Sequence, residues 1–558
     1  MSSRPTSRIL LGSIAAVAMM GLTACGASGS PASTPSQSVA AVAPAGDASQ
    51  AVEGGTLKLS SSLDPVCLDG HQVSTAALQM LGRIVYDNLV SLDENGQPSP
   101  WLATSWEISD DGTVYTFHLQ EGVTFSDGAP FNADAVVANF DHMRAPETKS
   151  PLAAAYIDPV ESTKVIDDYT LEVTLSYPYS PFLNVLAQSW LGLLSPKQIA
   201  EHPEDTCLDP IGSGPYVVDK YTPGESVTFN RRDDYDWSAE YLDHEGAANI
   251  DRIEISFITE PSVRFTSLTS GEFDATDNVA PQNAAAVKAD PSLEYYNISR
   301  LGNPQRITMN TSRAPFDDIK VRQAVAEGLD IDGLVKAVGF GEYETRHAFL
   351  SPTTQYYDAS AETDWVHDPE AAAALLDEAG WSEIDADGYR TKDGERLHAE
   401  LPISDTSTST ALYDLIQSQF KELGIDVQLV QLPQAEIYER VRNGDYDITT
   451  GVWHTNTPDA LYVVYNSDEI TSEERIGQNS SRIQDADLDE TLLKARQTTD
   501  EAELKELYTH AQERLAELVP AIPLYDFYTP WAVNTKVHDV LADSSHGVPL
   551  FTVAWIDQ

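Results

Sequence analysis

The stretch from Leu412 to Leu429 narrows the choice of fold more than any other. Leu412, Leu415, Ile416, Phe420 and Leu423 recur at three- and four-residue steps, the stripe of an amphipathic helix, and Gly424 stops it. Ile425, Val427 and Leu429 then alternate with polar residues, the period of a strand. Strand, helix and strand in this order predict βαβ units with parallel strands. The same helical spacing recurs at Ala133, Val136, Val137 and Phe140 behind the N-cap candidate Asn132. It appears again at Val321, Ala324, Val325, Gly328 and Leu329, and a further helix opens at Asp368-Pro369 and closes at Gly380. Strand signals lie at Thr113–Leu119 after the turn Asp110-Asp111-Gly112, at 169–175, at 226–230 and at 253–258. No short period repeats, which excludes solenoids and propellers. The 558 residues form an α/β protein of two to four domains.

Charge and motifs exclude several functions. Asp and Glu number 87 against 34 Lys and Arg, a formal charge of −53. Such a surface repels phosphate backbones, so no nucleic-acid partner is expected. The catalytic templates fail as well. There is no His-Glu-x-x-His, no Gly-x-x-x-x-Gly-Lys and no Gly-x-Ser-x-Gly. The glycines of Ile211-Gly212-Ser213-Gly214-Pro215-Tyr216 precede no helix signal, so a dinucleotide site is not expected. The twelve histidines are scattered without ligand spacing, and neither a metal nor a cofactor is expected.

The N-terminus sets the compartment. Arg4 and Arg8 precede an apolar run from Ile9 to Met20, a secretory leader too short to span a membrane in the ordinary way. Leu22-Thr23-Ala24-Cys25 resembles the bacterial lipobox, which implies cleavage after residue 24 and lipid on the Cys25 sulfur. Residues 25–52, rich in Ala, Ser, Pro and Gly, read as a flexible tether. The expected location is extracytoplasmic, on the outer face of the bacterial cell membrane, with the lipid anchor as the only membrane contact. In an exported chain the two remaining cysteines, Cys67 and Cys207, suggest a disulfide.

An ordered series of segments carries a family resemblance. It begins with Tyr86-Asp87-Asn88-Leu89-Val90, Pro100-Trp101-Leu102-Ala103-Thr104-Ser105-Trp106 and Gly122-Val123-Thr124-Phe125-Ser126-Asp127-Gly128. Gly212-Ser213-Gly214-Pro215-Tyr216, Gly271-Glu272-Phe273-Asp274 and Pro315-Phe316-Asp317-Asp318-Ile319-Lys320-Val321-Arg322-Gln323-Ala324 follow, then His367-Asp368-Pro369-Glu370 through Trp381. Together, over residues 54 to 556, they resemble the extracytoplasmic solute-binding proteins of family 5, the peptide/nickel/opine group of ABC importers. The resemblance implies a two-lobe, periplasmic-binding-protein-like fold of type II. Lobe I would span 53–302 with an extra subdomain inserted near 75–205. Lobe II would span 303–517, and 518–558 would return to lobe I. It implies a monomer that traps a small polar solute, a peptide or another, and delivers it to the permease. The alternative is an extracytoplasmic hydrolase of unrecognised type on the same fold.

In peptide-binding relatives an aspartate shortly after a lobe II tryptophan pairs with the peptide ammonium. The matching stretch here is Trp453-His454-Thr455-Asn456-Thr457-Pro458-Asp459. Thr455, Asn456 and Thr457 stand where that aspartate is expected, with Asp459 beyond the proline. A buried ammonium needs a charged partner, so these neutral groups suit an uncharged polar solute better. Trp453 is expected to stack on the solute. The resemblance adds Arg346 and His347 as cleft residues, Arg346 as a carboxylate clamp, and Tyr525 in the second crossing between lobes.

Overall fold

The computed structural model describes residues 51–404, 410–472 and 477–557; Cys25 and the tether up to residue 50 lie outside them. Three stretches of backbone build the frame. Strand Thr56–Ser61 pairs in parallel with Arg252–Phe257 and with Ala275–Thr276. Around them a seven-stranded sheet runs in the order 293–299, 528–534, 275–276, 56–61, 252–257, 226–231, 216–222. Its core gathers Leu57, Leu59, Ile253, Ile255, Val227 and Phe229, the alternate residues that a strand turns to one face. This is lobe I.

The inserted subdomain is a four-stranded antiparallel sheet, Ala103–Ile108, Val114–Leu119, Thr170–Leu175 and Val160–Asp167, with helix Ala133–Arg144 packed on it. Asn132 caps that helix, its Oδ1 accepting from the Ala135 N–H at 3.0 Å. The subdomain core also recruits Tyr235, Trp237 and Ala239, well beyond residue 205. Trp237 Nε1–H and Tyr235 O–H donate to the Asp87 carboxylate at 2.9 and 3.2 Å, which ties the later segment back to the earlier one.

Lobe II is built around a three-stranded sheet, Ile448–His454, Gly302–Met309 and Ala521–Tyr525. The βαβ unit is present: strands His398–Ser404 and Asp426–Leu432 pair in parallel around helix Ala411–Glu422, whose Ile416 and Phe420 are fully buried. Asp368 caps helix Pro369–Glu378 through the N–H groups of Glu370 and Ala371, and Gly380 follows it at φ +91°.

The chain passes between lobes twice. Strands Leu293–Ser299 and Gly302–Met309 belong to different sheets, as do Ala521–Tyr525 and Tyr528–Asn534. The crossings are therefore the short joints 300–301 and 526–527, and strand Ala521–Tyr525 stays with lobe II, so the return begins after residue 525 and not at 518. The joints touch each other, the Arg300 N–H donating to the Phe527 carbonyl at 2.9 Å. Gly302 follows the first joint at φ +107°, and a Cβ there would stand 2.2 Å from the Trp453 carbonyl oxygen, so only glycine fits.

Candidate ligand-binding site

Strand Ile448–His454 delivers the loop 455–459 to the border of lobe II, and helix Ala460–Tyr465 leads away from it. Trp453 lies opposite Asn303 on the central strand and packs partly against the apolar cluster around Leu461 and Tyr465. Beyond it the loop meets the inserted subdomain. Asn456 Nδ2–H donates to the Asn184 carbonyl at 2.6 Å, while Gln188 Nε2–H donates to Asn456 Oδ1 at 3.1 Å and to Thr455 Oγ1 at 3.3 Å. The Asn456 side chain thus joins the two halves of the molecule.

Between these halves lies a cavity of about 820 Å³. Trp453, Thr455, Thr457 and Asp459 line it from lobe II, with Tyr156, Tyr177 and Tyr179 opposite from the inserted subdomain. Asp459, which the sequence left outside the expected place, is buried on its wall. Arg496 Nη2–H donates to Asp459 Oδ2 at 3.1 Å, and Oδ1 has no hydrogen-bond partner among the described residues. Burial raises the Asp459 carboxyl above its usual range, with the charge of Arg496 working against it. The Arg496 guanidinium lies over the Tyr462 ring at 4.0 Å and the Tyr179 ring at 5.2 Å. Burial opposes its charge, but Asp459 and the surrounding tyrosines outweigh burial and hold it firmly protonated.

The other expected residues lie elsewhere. Arg346 donates to Asp526 Oδ2 at 2.7 Å and to Glu344 Oε2 at 2.9 Å, so its guanidinium already holds two carboxylates. Arg346 and His347 border a second cavity of about 350 Å³ with Asp330, Trp365 and Pro523. Tyr525 stacks on Tyr343 with ring centres 4.9 Å apart. None of the three lines the cavity beside Trp453. Conversely, sequence reasoning missed the tyrosines and Arg496. Tyr177-Pro178-Tyr179, aromatic residues just past a strand, was the available signal; Arg496, in the last turn of helix Ala486–Gln497, gave none. Cys67 and Cys207 form a disulfide, Cα atoms 4.4 Å apart, that joins the segment after the first strand to the end of the inserted subdomain.

A two-lobed α/β molecule with two joints and a cavity between its halves has the construction of a solute-binding protein. The sequence model of the bacterial extracellular solute-binding proteins, family 5 (middle), matches residues 97–472, and the chain belongs to that family. The di/tripeptide-binding protein 2 of Pseudomonas aeruginosa (strain UCBPP-PA14) is 30% identical over 448 residues, 76% of this chain and 80% of the relative. The glutathione-binding protein GsiB of Salmonella typhi is 28% identical over 464 residues, 82% and 86% of the two chains. Among solved structures, NikA from Brucella suis in complex with Fe(III)-EDTA superposes with a TM-score of 0.80 at 25% identity, covering 90% of this chain and 100% of that one. DppA from Helicobacter pylori in complex with peptide STSA gives 0.76 at 23% identity, covering 91% and 99%.

Proposed function

We propose that this protein is the capture component of an ABC importer, anchored outside the cell membrane through lipid on Cys25, and that it takes a short peptide or peptide-like solute between its lobes. The cavity beside Trp453 carries the reading. Its volume falls within the roughly 300–1,000 Å³ of small-molecule sites. Its wall combines aromatic faces with the buried ion pair of Asp459 and Arg496. An N–H or ammonium of the solute that reached Asp459 would be stabilised by its carboxylate. Trp453 and the tyrosines offer faces for apolar parts of the solute. Relatives named for di/tripeptides and glutathione support the peptide-like class. A solute touching both halves binds the closed form better than the open one and so shifts the protein toward closure; the permease would receive it unchanged.

Calorimetric titration of the mature protein with di- and tripeptides is expected to show reversible binding without product. Trp453→Ala and Asp459→Asn are each expected to weaken binding tenfold or more, about 1.4 kcal/mol. Unchanged affinity in both variants would move the site elsewhere, and a released product would replace capture with catalysis.

A further inference from the structure

Away from the cavity beside Trp453, the segment after the first strand brings Asp69 and His71 against His142 of helix Ala133–Arg144. All three are buried, and one ligand atom from each lies within 4.8 Å of the others. His71 Nδ1 is 2.9 Å from His142 Nδ1 and 4.0 Å from Asp69 Oδ1. Tetrahedral zinc, with bonds of about 2.0–2.2 Å, holds its donor atoms roughly 3.4 Å apart, and the two distances bracket that spacing.

The hydrogen bonds prepare the donors. His71 Nε2 lies 3.0 Å from the Gly192 carbonyl oxygen. A carbonyl only accepts, so the ring carries its proton on Nε2 and turns the Nδ1 lone pair to the cluster. Without an ion, the His142 Nδ1–H donates to that lone pair. With one, His142 carries its proton on Nε2 and offers Nδ1. Asp69 Oδ1 accepts from the His71 backbone N–H and Oδ2 from Gln72 Nε2–H, both at 2.8 Å, which leaves each oxygen a lone pair. Asp69 is nevertheless fully buried and forms no ion pair with lysine or arginine among the described residues. A buried carboxylate without a cation costs several kcal/mol. A divalent ion would supply the charge.

From this geometry we propose that Asp69, His71 and His142 bind one Zn²⁺, which pins the segment after the first strand to the inserted subdomain. Two imidazoles and one carboxylate suit zinc and disfavour Ca²⁺ and Mg²⁺, which prefer all-oxygen shells. The fourth position falls to water. His142 and Gln72 border a cavity of about 710 Å³, from which the water and the ion would enter. The Cys67–Cys207 disulfide holds the backbone two residues before Asp69.

The test uses the mature chain stripped with EDTA, then titrated with ZnCl₂ by calorimetry and native mass spectrometry, with CaCl₂ and MgCl₂ as controls. One zinc per chain, a higher melting temperature in zinc and no response to calcium or magnesium are expected. His142→Gln keeps an N–H donor for His71 and should melt like the wild type in EDTA. Its zinc affinity should fall by more than about 100-fold, the upper end for loss of a partner group outside the ligand shell. Cobalt loading should give tetrahedral visible bands in the wild type and not in the variant. A wild type that takes up no zinc, or a folded His142→Gln variant that binds it as tightly, would overturn the proposal and leave the histidines as a hydrogen-bonded pair.

Discussion

Asp87 shows what burial does to a single group. It lies fully buried, and burial lifts its carboxyl from 3.8 to about 6, against hydrogen bonds from Ser213, Trp237 and Tyr235 and the charge of Arg232. Between those two values the folded chain keeps a proton that the unfolded chain has released. Stability therefore falls as pH rises through that window and stays lower above it. Asp87→Asn, which keeps an acceptor for Trp237 and no longer ionises, is expected to flatten this part of the profile. Urea midpoints measured between pH 4 and 7 check it, and an unchanged slope would remove Asp87 as the cause. Asp459 is raised by burial in the same way, with the charge of Arg496 beside it working in the opposite direction.

At the scale of elements, the loop after strand Ile448–His454 acts through its contacts across the cleft. Asn456 and Gln188 belong to opposite halves, so their hydrogen bond spans the cleft. Asn456→Ala and Gln188→Ala should each weaken solute binding, and the double variant should lose less than the two single losses added together. Strictly additive losses in a double-mutant cycle would break the link between this bond and closure. The disulfide acts on a longer element. It closes a loop with a sequence separation of 140, and the Leu68 N–H donates to the Cys207 carbonyl beside it. Cys67→Ser with Cys207→Ser is expected to cost about 2–5 kcal/mol of stability, read from denaturant melts. A loss below 1 kcal/mol would show that neighbouring contacts already hold the segment.

For the whole molecule, the formal charge of −53 opposes compaction. Neutral salt at about 0.15 M shortens the reach of that repulsion to roughly 8 Å. The melting temperature at pH 7 should therefore rise from low salt to moderate salt, and a flat or falling curve would show that local ion pairs dominate. The proposed closure of the two lobes belongs to the same scale. Each has its own buried core, and the joints at 300–301 and 526–527 are short, so closure needs few backbone changes.

Local order was legible in the sequence because local order is a matter of spacing. The stripe from Leu412 to Leu423, the caps at Asn132 and Asp368 and the alternation at Ile425–Leu429 each name an element through its own residues. The family segments, being continuous, fixed the two-lobed plan. The cavity was not legible in this way. Its walls come from Tyr156 and Tyr179 on one side and from Asp459 and Arg496 on the other, hundreds of residues apart. Whether Arg346 clamps a solute or holds Asp526, and whether Asp459 faces outward or into the cavity, depends on which partner lies within a few ångströms. Periodicity carries no record of that distance, and folding sets it when separate cores pack against one another.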